Sequence, residues 1–187
     1  MKLIIAITGA SGSLYAQRLL HLIDACGDHE AHVALSAHAR EVARAETGEL
    51  IIPPRFTVHG DTSMQVPFVS GSAKFDAMVV IPCSMGTLGR IAHGYSDSAI
   101  TRAADVFLKE KRKLILVPRE TPWNLIQARN VVTLLEAGAE IIPAIPSFYH
   151  RPETVLEVVD TVVARVLDHL GLEHPQAKRW MEPEPRE

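Results

Sequence analysis

Lys2-Leu3-Ile4-Ile5-Ala6-Ile7-Thr8-Gly9-Ala10-Ser11-Gly12-Ser13-Leu14-Tyr15 decides how the rest of the chain is read. Six residues of unbroken apolar or β-branched character, Leu3–Thr8, fit a strand buried on both faces, whose side chains have no solvent side to alternate toward. The glycine-rich turn Thr8-Gly9-Ala10-Ser11-Gly12 follows at once, and apolar residues at helical spacing run over Gly12–Cys26. This is a strand-turn-helix unit, and it recurs. Further strands are expected at Ala31–Ser36, Ala77–Pro82, Leu114–Pro118 and Glu140–Pro143. The helical candidates are Ala37–Thr47, Thr87–His93, Ile100–Lys111, Leu125–Ala137 and Glu153–Leu170. Such alternation predicts an α/β protein with a parallel sheet covered by helices on both faces.

The 187 residues suit one domain with a substantial core. Residues 50–74 break the rhythm with Pro53-Pro54, Gly60-Asp61 and Ser70-Gly71-Ser72, and read as an excursion with one short strand at Phe56–His59. The domain is expected to span residues 1–171. The segment 172–187 is proline-rich and charged yet carries Trp180-Met181, so it is either a solvated end or a tail that packs on a neighbouring subunit or a site.

A net charge of −3 argues against a nucleic-acid binder. No apolar run approaches the roughly 18 residues of a membrane span, and the opening residues read as a first strand rather than a signal peptide. Cys26 and Cys83 are the only cysteines, too few for a disulfide scaffold, and no spacing of Cys and His fits a zinc site. No metal is assigned, and the cytoplasm is the expected compartment.

A helix start after strand one exposes backbone N–H groups and the positive end of the helix dipole, so an anion is expected there. No Gly-Lys-Ser/Thr closes the turn, which removes a nucleotide triphosphate loop, and Gly9 and Gly12 do not complete the G-x-G-x-x-G of dinucleotide folds. Strand two ends in Ser36-Ala37-His38 where NAD folds place an acid. A serine there suits a phosphate better than a ribose diol. Tyr15, Tyr95 and Tyr149 are not followed by a Lys four residues on, against the short-chain dehydrogenases. A mononucleotide remains, FMN being the commonest in such folds.

Pro82-Cys83-Ser84-Met85-Gly86-Thr87 follows another buried strand at the same edge. Its hydroxyls either cap the next helix or grip a ligand, and Cys83 lacks a neighbour that would activate it. Arg119-Glu120, braced by Pro118 and Pro122, stands where open α/β sheets bind ligands. Pro146-Ser147-Phe148-Tyr149 repeats the arrangement, and Tyr149 offers a phosphate a hydroxyl. Arg102 and Asp105 are spaced to pair on a helix, and Lys109-Glu110-Lys111-Arg112 reads as a solvated helix end.

Together Thr-Gly-Ala-Ser-Gly, Pro-Cys-Ser-Met-Gly-Thr-Leu, Arg-Ala-Ala-Asp-Val, Leu-Lys-Glu, Val-Pro-Arg-Glu-Thr-Pro and Pro-x-x-Phe-Tyr, in this order over residues 2 to 171, resemble the UbiX-type flavin prenyltransferases. These were formerly described as 3-octaprenyl-4-hydroxybenzoate or phenylacrylic acid decarboxylases. The resemblance implies a flavodoxin-like, Rossmann-like three-layer α/β/α sheet assembled into dodecamers, with FMN between subunits. It implies a metal-independent transfer of a dimethylallyl group from dimethylallyl phosphate to reduced FMN, and delivery of prenylated FMN to a UbiD-type decarboxylase.

Carried over residue by residue, Gly9, Ala10, Ser11, Ser36, Ser84, Met85, Gly86 and Thr87 would contact FMN. Arg119 would reach a phosphate from across a subunit boundary. Lys109, Tyr149 and Arg165 would hold the dimethylallyl phosphate, and Glu46 and Glu120 would handle protons. The chain departs from the family at Gln127-Ala128-Arg129-Asn130-Val131 and Tyr95-Ser96-Asp97-Ser98. Two other readings share the fold: an FMN-dependent cysteine decarboxylase, and a non-catalytic FMN-binding accessory subunit of a decarboxylase.

Overall fold

The computed structural model describes residues 1–173. Six parallel strands, β1 (Lys2–Ile7), β2 (Glu30–Leu35), β3 (Thr57–Gly60), β4 (Ala77–Cys83), β5 (Lys113–Pro118) and β6 (Glu140–Ile141), form one sheet in the order 3-2-1-4-5-6. The helices are α1 (Ser13–Ala25), α2 (Ala39–Thr47), α3 (Met85–Ala92), α4 (Ala99–Lys109), α5 (Leu125–Glu136) and α6 (Val155–Leu170). The expected three-layer arrangement is therefore present, and the excursion contributes the edge strand β3. The Trp180 tail lies outside the described residues.

Alternation along β1 sorts the two cores. Leu3, Ile5 and Ile7 point into a layer completed by α1, α2 and α6, with Leu19, Leu20, Ile23, Val163 and Val166 fully buried. Ile4 and Ala6 point the other way, against α3, α4 and α5 through Leu88, Ala103, Phe107 and Leu134. A strand with apolar residues at every position is what two such faces require. A bidentate ion pair, Arg18 Nε and Nη2 to Asp160 at 2.6 and 2.8 Å, ties α1 to α6.

Helix starts agree with their side chains. Ser98–Thr101, Asn124–Gln127 and Thr154–Glu157 are reciprocal capping boxes for α4, α5 and α6. Several boundaries differ from the periodicity by one or two residues: Ala37 and His38 remain in the turn before α2, and β6 ends at Ile141, although the Ile142 and Ala144 N–H groups still donate to the Leu116 and Pro118 carbonyls at 2.9 Å.

The strand order reverses between β1 and β4, so the loops leaving their carboxyl ends diverge and open a crevice. On α1, the helix that leaves the first of these loops, Leu20 is fully buried in the core. Leu20→Ala is expected to lower stability by about 2–5 kcal/mol in urea unfolding, the range for a truncated core leucine.

Candidate flavin site at the strand reversal

Thr8 clasps the two diverging strands. Its buried hydroxyl donates to the Pro82 carbonyl at 2.7 Å and accepts from the Ser84 N–H at 2.8 Å. Pro82 is tolerated inside a central strand because the β4–β5 register shifts between Val80 and Cys83, where its missing N–H costs no ladder bond. Ser84 then caps α3, accepting from the Thr87 N–H at 3.2 Å while its hydroxyl donates to Thr87 Oγ1 at 3.0 Å. The capping reading of Ser84 is thus realised, and Met85, Gly86 and Thr87 form the first turn it caps. Cys83 is fully buried, and burial pushes its thiol up to about 12, so it stays protonated and inert.

The first turn holds an unexpected occupant. The Glu46 carboxylate accepts from the Gly12 N–H at 2.9 and 3.0 Å, the Ser13 N–H at 2.8 Å and the Ser13 hydroxyl at 2.5 Å. The Gly12 and Ser13 donors at the start of α1 are therefore supplied with an anion by the chain itself. Partial burial pushes the Glu46 carboxyl up, but the Ser11 and Ser13 hydroxyls and the two backbone N–H donors outweigh it and hold the group below its ordinary value. Glu46 is therefore ionised at neutral pH.

Upstream of Glu46's partners, the N–H groups of Gly9, Ala10 and Ser11 find no acceptor among the described residues. They can serve a flavin's carbonyl or ribityl oxygens. Gly9 must lack a side chain, because a Cβ there would stand 2.7 Å from His38 Cβ. Ser36 lies beside this turn, its N–H donating to the Ile7 carbonyl at 3.0 Å.

Arg119 Nε donates to the Ser11 carbonyl of its own chain at 3.0 Å. The arginine thus joins the third loop to the first within one protomer, rather than reaching only across a boundary as the resemblance implied. Its terminal nitrogens remain for a ligand. Glu120 is exposed next to it and accepts from the Thr121 N–H at 3.0 Å.

Other expected site residues are not brought here. Lys109 ends α4 and Arg165 lies in the last turns of α6, toward the amino-terminal edge, where Lys113 contacts the His169 carbonyl. A six-residue strand separates that edge from Ser84 by roughly 17–20 Å. Within the chain Lys109 pairs with Glu110 at 3.6 Å and Arg165 with Asp168 at 2.9 Å. Tyr149 sits at the carboxyl edge, three-quarters exposed, in the loop after β6. Arg102 pairs with Asp105 at 3.0 Å, as its spacing predicts.

Thr8, Ser13 and the His32–His59 pair escaped the sequence reading. Thr8 was legible in principle, as a hydroxyl at a strand end directly before the glycine turn. The histidines were not, since they meet only when β3 pairs with β2.

Such a crevice, with free backbone donors and hydroxyls on a doubly wound sheet, belongs to the mononucleotide-binding α/β proteins, and the flavoprotein family model matches residues 1–167. Flavin prenyltransferase UbiX of Methanocaldococcus jannaschii is 43% identical over 183 residues, covering 96% of this chain and 98% of that protein. A dodecameric FMN-dependent UbiX-like decarboxylase from Escherichia coli O157:H7 superposes with a TM-score of 0.92 at 42% identity, covering 97% of this chain and all of that one. AnUbiX, crystallised with FMN and dimethylallyl pyrophosphate, gives 0.91 at 36% identity with 98% of both chains covered. The chain belongs to the flavoprotein family and, within it, to the UbiX-type flavin prenyltransferases.

Glu46 gives a pH test. Because its folded value is lowered, its contribution to stability is fully present above its ordinary 4.5 and is lost as pH falls through the folded value. Glu46→Gln should melt below the wild type at pH 7, and the gap should close in acid. Equal melting temperatures at pH 7 would remove the carboxylate from the turn.

Proposed function

We propose that this chain joins the dimethylallyl group of dimethylallyl phosphate to reduced FMN, yielding prenylated FMN for a UbiD-type decarboxylase. The observation that carries this reading is the 43% identity to a flavin prenyltransferase over nearly both full lengths. The fit of the crevice supports it: free N–H groups at Gly9, Ala10 and Ser11, a serine at the end of β2, and the capped turn Ser84–Thr87 all face one edge. The cysteine decarboxylase reading is not favoured, and the accessory-subunit reading leaves the charged residues without employment.

In this proposal the allylic carbon–oxygen bond breaks and phosphate leaves with the electron pair while a nitrogen of reduced FMN bonds the allyl group and gives up its proton; ring closure then consumes the prenyl double bond, which takes up a proton as the second flavin position loses one. Growing negative charge on the leaving oxygen calls for preorganised cationic and hydroxyl donors, supplied by Lys109, Tyr149 and Arg165. A dry apolar wall favours the developing allyl cation. Arg119, fixed by Ser11, adds a guanidinium to the flavin site. Glu46, ionised, and Glu120, exposed beside Arg119, are the proton acceptors.

Lys109 and Arg165 stand at the edge away from Ser84 in their own chain, so they serve the site of a neighbouring copy. This supports a homo-oligomer, with the dodecamer of the E. coli relative as its form. An exposed apolar strip, Leu125 and Ile126 on α5 with Ile145, Phe148 and Tyr149 after β6, offers the contact. No helix among the described residues is long and apolar enough to cross a membrane, and both cysteines are free thiols. The free thiols fit a reducing, cytoplasmic setting. No cluster of three metal-ligating side chains occurs among the described residues, so no metal is assigned a role.

Anaerobic incubation with reduced FMN and dimethylallyl phosphate should give an extracted flavin heavier by one five-carbon unit in mass spectrometry. Unmodified FMN from a folded, flavin-loaded sample would overturn the reading. Glu120→Gln should keep FMN and slow the mass gain at least tenfold, within the usual range for a lost acid–base group. Unchanged turnover would remove Glu120 from the chemistry.

A further inference from the structure

Residues 119–124 join β5 to α5 at the carboxyl edge, and they are fixed at both ends. On entry the Arg119 N–H donates to the Cys83 carbonyl at 3.3 Å and Arg119 Nε to the Ser11 carbonyl at 3.0 Å. On exit Asn124 and Gln127 cap α5 reciprocally, at 3.0 and 2.9 Å. Between these points stands Glu120, and an exposed glutamate with its long, rotamer-rich side chain keeps one direction only if something holds it.

Two hydrogen bonds do so, and they meet on a single peptide unit. Through Oε1 the Glu120 carboxylate accepts from the Thr121 N–H at 3.0 Å. The Glu120 carbonyl accepts from the Trp123 indole Nε1–H at 2.9 Å. That carbonyl and the Thr121 N–H belong to the same planar amide, so the direction of one sets the direction of the other. In a hydrogen-bonded β-turn the first carbonyl is closed by the backbone N–H of the fourth residue. Here the fourth residue, Trp123, closes it with its indole, and Pro122 has no N–H to offer instead. No other donor reaches the Glu120 carbonyl among the described residues. Without the indole the amide loses the contact that sets its plane, and its N–H is no longer aimed at the carboxylate. Trp123 is 38% exposed, so the ring is spent on this contact more than on the core.

We propose that Trp123 is a positioning residue for the Glu120 carboxylate, acting through the Glu120–Thr121 amide. The proposal rests on the reading of Glu120 as a proton acceptor. Such a group works only within hydrogen-bond reach of the proton it takes, so a carboxylate that swings loses rate rather than affinity. The flavin donors at Gly9, Ala10 and Ser11 lie in another loop, and Lys109 and Arg165 on α4 and α6, so loss of the indole leaves them in place. The effect falls on kcat.

The test compares the full-length wild type with Trp123→Phe, which keeps an apolar ring and removes the donor, alone and combined with Glu120→Gln. Mass gain of reduced FMN is followed against dimethylallyl phosphate concentration, FMN affinity by fluorescence quenching, and exchange of the Thr121 amide by hydrogen–deuterium mass spectrometry at residue level. Trp123→Phe is expected to lower kcat about tenfold, the upper range for one hydrogen bond, with KM and the FMN dissociation constant held within about twofold and Thr121 exchange faster. In the Glu120→Gln background it changes kcat no further, because the group it positions is already gone. Where Glu120→Gln slows the reaction, an unchanged kcat in Trp123→Phe overturns the proposal. An equal loss in both backgrounds, a loss accompanied by weaker FMN binding, or Thr121 exchange as in the wild type does the same. Should Glu120→Gln turn over like the wild type, the proton-acceptor reading fails, and Thr121 exchange alone decides whether Trp123 sets the amide.

Discussion

One threonine hydroxyl holds the crevice open in a defined shape. Thr8 stands where β1 ends and the strand order reverses, and two parallel strands whose following loops diverge would leave their last backbone groups unpaired. By donating to Pro82 and accepting from Ser84, the hydroxyl satisfies both in a buried setting. It also sets the height at which α3 begins, because Ser84 is at once its partner and the cap of that helix. The first and second turns are therefore one rigid unit, and the third is added by Arg119 through the Ser11 carbonyl.

Glu46 shows how the same edge avoids indiscriminate anion binding. A helix start with three free donors attracts any phosphate or carboxylate. Filling it with a residue from the end of α2 stabilises the turn and sets an ionised carboxylate against it.

Strands and helices were legible because each strand is buried on both faces and so reads as a continuous apolar run between helical periods. The reversal point followed from the glycine turn, and Ser84 as a cap followed from its position before an apolar helix. What escaped depends on contacts distant in sequence. The Glu46–Ser13 contact spans 33 residues and the Thr8–Ser84 contact 76, and neither leaves a local pattern. Glu46 at the start of α1 was not legible for the same reason: an isolated helix start has no acceptor, whereas the folded chain brings its own.

The remaining asymmetry concerns charge. The carboxyl edge carries the free N–H donors, the clasped hydroxyls and two acidic side chains, while Lys109 and Arg165 stand toward the amino-terminal edge. Among the described residues Lys109 pairs with Glu110 and Arg165 with Asp168, and both cations keep half or more of their side chains in solvent, where ion pairs stabilise little. An exposed pair worth so little exchanges readily for a buried phosphate, where the same cation gains more from a lower dielectric. Cations held loosely at one edge and an acidic, donor-rich crevice at the other are complementary surfaces of a single chain. In the proposed reaction, copies arranged so that these edges meet would complete a site that one copy alone leaves without the cations at Lys109 and Arg165.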